Sequence, residues 1–177
     1  MTDAGFPLHL FVVDDSRQFD PASWHTEKKV VIFINNGILA GESDGIDASM
    51  MLVRDIAIDK IKLPNNVALA IVRVYNIGGC LNRNSNTHVN QNGPIEYGFR
   101  GNSQNLGLNR DFTKCDSKEA RSFVRKFQYL QPEIFIDTHV SNGADYRHTM
   151  TLITTQHDKL GKEQGKYLRE VLEPALF

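Results

Sequence analysis

Val30-Val31-Ile32-Phe33-Ile34-Asn35-Asn36-Gly37 is the stretch on which the fold turns. Five consecutive apolar residues, mostly β-branched, describe a strand buried on both faces. The run breaks off at Asn35-Asn36-Gly37, residue types that favour turns. From Asp44 or Asp47 the period changes. Ile46, Met50, Val53, Ala57 and Ile61, with Ile56 beside them, fall on one face of a helix. Pro64 and Asn65-Asn66 stop that helix, and residues 67–75 form a second buried strand. Strand, helix, strand is a β-α-β unit, which predicts parallel strands joined by a right-handed crossover.

Working outward, Leu8-His9-Leu10-Phe11-Val12-Val13 reads as an earlier strand, followed by a polar connection over residues 14–27. On the other side, Asp116-Ser117-Lys118-Glu119 has the form of a capping box. It opens a helix that runs to Leu130 and is ended by Gln131-Pro132. Residues 133–138 form a further buried strand, and Ser141-Asn142-Gly143 a turn. Residues 148–154 alternate weakly, which predicts one more strand near a sheet edge, and 158–172 a last amphipathic helix. Strands alternating with helices predict an α/β fold, a mixed and mostly parallel sheet with helices on both faces.

The bulk properties narrow the classes of function. The chain has 177 residues, 41% of them hydrophobic, which predicts a single domain over 1–177. A formal net charge of −1 argues against electrostatic clamping of nucleic acid. No apolar run approaches the roughly 20 residues that span a bilayer. Met1-Thr2-Asp3-Ala4 lacks the basic region of a secretory signal, and the apolar run 8–13 is too short for one. Cys80 and Cys115 are too few for a disulfide framework.

Residues 76–112 differ in kind, with nine Asn and six Gly and no period. Asn and Gly tolerate left-handed backbone, so the stretch reads as an ordered, hydrogen-bonded excursion of the sort that carries function. In open α/β sheets, ligands bind beyond the carboxyl ends of the strands. Three segments fall there: residues 35–42 with Glu42, the excursion with Arg100, Asn109 and Arg110, and Asp137-Thr138-His139. A carboxylate, an imidazole and two guanidiniums at one edge suit an anionic substrate. Taken singly, Glu42 is equally a surface carboxylate near a helix start, His139 a structural histidine, and Arg110 one half of a surface ion pair with Asp111.

The order of these segments resembles the zinc metallocarboxypeptidases of the M14 family, over about residues 30–154. The family's Gly-Ile-His-x-x-Glu corresponds here to Gly37-Ile38-Leu39-Ala40-Gly41-Glu42. Its Arg-x-Asn and Asp-x-Asn-Arg correspond to Arg100-Gly101-Asn102 and Gly107-Leu108-Asn109-Arg110, and its strand-terminal His to His139. The resemblance implies a phosphorylase/hydrolase-like sheet and hydrolytic removal of C-terminal peptide residues by a zinc-activated water. It implies Glu42 and His139 as zinc ligands. Arg100 would stabilise the oxyanion, and Arg100, Asn109 and Arg110 would bind substrate, the last two gripping its C-terminal carboxylate.

The sequence also departs from the family. The first zinc ligand is replaced by Leu39, and the Asp that supports it by Gly107. No residue here matches the family's general-base Glu; Glu163, Glu170 and Glu173 lie on the last helix. The expectation is therefore a truncated, N-terminal portion of such a domain. His148, Asp145 and Asp44 are the candidates to replace the lost ligand, while His9, His25, His88 and His157 read as ordinary surface or core histidines. Three functions compete: the N-terminal part of a zinc carboxypeptidase, a metal-poor module that recognises peptide C-termini, and a fold remnant without a site. In the last, a second copy would cover an exposed sheet edge. The resemblance adds that family members are often exported.

Overall fold

The computed structural model describes residues 1–87, 93–141 and 143–176; His88 and Asn142, named above, lie outside the described residues. Two compact units result, Met1–Ala144 and Asp145–Phe177.

The first unit is built on a four-stranded sheet of β1 (Phe11–Asp14), β2 (Val30–Asn35), β3 (Val67–Val72) and β6 (Ile134–Asp137), in the order β1-β3-β2-β6. β2 runs parallel to both β3 and β6, and β1 runs antiparallel to β3. The sheet is thus mixed and mostly parallel, as the alternating pattern predicts. Register places Val31 beside Ala68, and Phe33 between Ala70 and Phe135. Side chains alternate along a strand, so these share one face. That face packs on Trp24 of α1 (Pro21–Thr26) and on Phe123 and Leu130 of α4 (Lys118–Leu130). Phe33, Phe123 and Phe135 pack with ring centroids 5.4–5.6 Å apart, Phe33 stacked on Phe123 and Phe135 edge-on to Phe123. α2 (Asp44–Ala57) serves the opposite face, where Ile71 lines a groove with Ser49 and Val53.

α2 keeps Ile46, Val53 and Ile56 on its half-buried side, as the apolar spacing predicts, but Ser49 takes the place expected of Met50. Met50 is 54% exposed and Ile61 lies beyond the helix, while Ser49 is buried. Ser49 sits inward because its hydroxyl accepts a hydrogen bond from Asn36 Nδ2 (2.8 Å).

The Asn-rich excursion is ordered over its described residues. It comprises α3 (Ile77–Leu81), the antiparallel pair β4 (Arg83–Asn84) and β5 (Tyr97–Gly98), and a 3-10 turn at Leu108–Arg110. Asn102 holds its end: the side chain accepts from Gln104 N and Leu106 N and donates to buried Glu119. The capping of α4 differs in detail from the expected box. Ser117 is the N-cap, accepting from Ala120 N, and Glu119 instead accepts from Asp3 N.

In the second unit, a 3-10 turn (His157–Lys159) leads into α5 (Lys162–Tyr167), a wider turn (Leu168–Leu172) and α6 (Glu173–Leu176). Glu173 ties it together, accepting from Thr154 Oγ1 (2.6 Å) and meeting His157 Nε2 (3.3 Å). The strand expected over 148–154 does not form; Ile153 is 91% exposed. Weak alternation needs a neighbouring strand to hold it, and this unit contains none among its described residues. Among the described residues, no helix is long and apolar enough to cross a membrane.

Candidate functional site

β2 ends in a buried pair, Asn35 and Asn36, that organises the carboxyl edge of the sheet. Asn36 donates its N–H to Val72 O (3.0 Å), and its carbonyl accepts from Tyr75 N (2.8 Å). The chain then turns at Gly37, whose φ of +67° is left-handed and whose carbonyl accepts from Asn76 N. The loop that follows buries Ile38 and Leu39 in the core and returns at Glu42, whose N–H bonds Leu39 O (2.9 Å). On its far side, α2 starts hard against the end of β6. A Cβ on Gly45 would lie 2.0 Å from Thr138 Oγ1, so only glycine fits. Thr138 also donates to Asn36 Oδ1 (2.9 Å).

These approaches bring Glu42 and His139 together, although 97 residues separate them in the chain. Glu42 is 2% exposed. Its Oε2 accepts from Val140 N (3.1 Å) and lies 3.0 Å from His139 Nδ1. The other ring nitrogen, Nε2, lies 2.8 Å from Asp137 Oδ2. Asp137 Oδ1 in turn accepts from Asn35 Nδ2 (2.8 Å). Because ionised carboxylates only accept, an imidazole between two of them donates from both nitrogens. The bonds to Asp137 and then Glu42 outweigh burial and push the pKa of His139 up to about 10. Two buried side-chain oxygens here have no partner among the described residues, Glu42 Oε1 and Asn35 Oδ1.

The excursion meets the same edge. Asn76 caps α3 by accepting from Gly79 N and donates its Nδ2 to Arg100 O (3.1 Å). A Cβ on Gly98 would lie 2.5 Å from Ala40 O, so β5 lies directly on the Glu42 loop. This holds Arg100 near the loop, with its side chain exposed. Leu108 is anchored in the core beside Leu39 and Tyr75, which fixes the turn carrying Asn109 and exposed Arg110. Arg110 Nη1 donates to Asn109 O (2.8 Å), and among the described residues neither Arg100 nor Arg110 has a carboxylate partner.

Asp111 is no ion-pair partner for Arg110. Its carboxylate accepts from Asp116 N, Ser117 N and Ser117 Oγ (2.6–2.9 Å) and secures the start of α4. Asp137 was named with its segment in the sequence but given no role of its own. Its signal was the i, i+2 spacing to His139, which puts both side chains on one side of an extended strand end.

Of the candidate replacements for a lost ligand, Asp44 is the exposed first residue of α2, and Asp145 and His148 belong to the second unit. Among the described residues, no group of three His, Cys, Asp or Glu side chains is arranged to hold a metal ion.

No protein-family model matches the sequence. No curated protein matches it either. Solved structures do. A putative carboxypeptidase A from Shewanella denitrificans OS-217 superposes with a TM-score of 0.61 at 21% identity, over 81% of this chain and 34% of its own length. A metallo-carboxypeptidase from Burkholderia cenocepacia gives 0.62 at 19% identity, over 89% of this chain and 40% of its own. The fold is therefore carboxypeptidase-like, and this chain spans between a third and two fifths of those proteins.

Zinc, the metal that the resemblance implies, does not fit the donors present. Glu42 Oε1 offers a free lone pair. His139, however, engages both ring nitrogens with carboxylates, and Leu39, at the first ligand position, has no lone pair and is buried in the apolar core.

Proposed function

We propose that this chain is a carboxypeptidase-like protein whose carboxyl-edge loops hold the free C-terminal carboxylate of a peptide, and that as it stands it binds without cleaving. One observation carries this reading. Arg100 and Arg110 are exposed, lack carboxylate partners among the described residues, and sit on loops pinned by Asn76 and Leu108. A guanidinium on an anchored backbone is suited to a carboxylate, because its planar fork matches the two oxygens. Asn109, next to Arg110, adds an amide that both donates and accepts. Hydrolysis by a zinc-activated water is what the resemblance implies for full-length relatives, and it has less support here because the donor set is incomplete.

Calorimetric titration of one peptide in free-acid and C-terminally amidated forms tests the reading. The free acid is expected to bind and the amide to lose most of that affinity. Arg100→Ala and Arg110→Ala should each weaken the free acid about 10- to 100-fold, the range for hydrogen bonds to charged groups. Equal binding of acid and amide would remove the proposal.

A further inference from the structure

Glu42 poses a physical problem that its surroundings answer. A buried carboxylate needs a compensating positive charge, and in a metalloenzyme the metal supplies it. In this chain the partner that meets Glu42 is a side chain. His139 lies 3.0 Å from Glu42 through Nδ1 and 2.8 Å from Asp137 through Nε2. Asp137 is itself fixed by Asn35, and Glu42 by Val140 N. The arrangement has the shape of a ligating histidine with an orienting carboxylate behind it.

We propose that His139 takes the place of a metal: Asp137, His139 and Glu42 form a metal-free, hydrogen-bonded clasp that gives buried Glu42 its partner and fastens the loop after β2 to the end of β6. The clasp explains why Leu39 is tolerated. With Glu42 already held by His139 and Val140 N, position 39 is free to join the core, where it is 4% exposed. The inference rests on the contacts of Glu42 and His139 and is independent of the peptide reading, so either can fail alone.

Thermal unfolding of the full chain in chelator, with His139→Gln and Glu42→Gln made singly and together, tests it. His139→Gln is expected to lower Tm by about 10 °C, since it strands a buried carboxylate. The double variant should lose clearly less than the sum of the two single losses. In parallel, equimolar zinc added to the unaltered chain should leave Tm unchanged, and elemental analysis should find no stoichiometric zinc. Additive losses would overturn the clasp. So would one bound zinc per chain with a raised Tm, which would make Glu42 Oε1 and His139 Nδ1 metal donors. If His139→Gln does not fold, the zinc titration of the unaltered chain decides the matter.

Discussion

Leu39 is where a single side chain changes what the chain can do. It shares one core cluster with Phe33, Tyr75 and Leu108, at 4% exposure. A leucine there offers no lone pair and packs in the core, so the position serves stability. Leu39→Ala should therefore destabilise the protein by about 2–5 kcal/mol in urea unfolding, the range for emptying a core leucine. A loss under about 0.5 kcal/mol would show that the side chain is not part of the core. Glu42 and His139 were legible in the sequence because each sits at a fixed offset from a strand end. Their pairing with Asp137 was not, because the i, i+2 spacing of an Asp and a His has no meaning until the strand is known to stop there.

Among the elements, α4 shows how buried charge enters the fold. Asp111 lies in a buried position that opposes ionisation, yet the hydrogen bonds from Ser117 and Asp116 outweigh this and hold its carboxyl below the usual range. The sign follows from that lowered value. The contribution is complete above the unfolded value of 3.8 and is lost as pH falls through the folded one. Stability measured from pH 6 to 2 should fall steeply below about pH 4, and Asp111→Asn should flatten that limb while lowering stability at pH 6. An unchanged acid limb would assign the loss to other carboxylates. The strands and helices of the β-α-β unit were legible because continuous β-branched runs and a clean change of period leave no other arrangement. The phase of α2 was legible only in part: Ile46, Val53 and Ile56 face inward, but Ser49 is drawn in by a hydrogen bond from Asn36, which no hydrophobic count registers. The strand expected over 148–154 failed for the converse reason, since a strand is completed by its neighbour and not by its own pattern.

Over the whole molecule, the parallel pairing of β2 with β3 and β6 decides the placement of everything functional. It brings Asn35, Tyr75, Asn76 and Asp137 to the carboxyl edge, and the loops that continue from them carry Glu42, Arg100 and His139. The comparisons agree on this sheet at about a fifth identity. Buried strands tolerate exchange of one apolar residue for another, so the fold is kept at low identity. On the proposed reading, the guanidiniums and the clasp form a carboxypeptidase-like edge at which carboxylate recognition does not depend on a metal. Titration of a C-terminally free peptide into the chain, with and without chelator, tests that claim most directly, with mass spectrometry of the peptide afterwards. The account predicts the same affinity in both conditions and an intact peptide; binding that appears only when zinc is supplied, or a peptide shortened from its C-terminus, would contradict it.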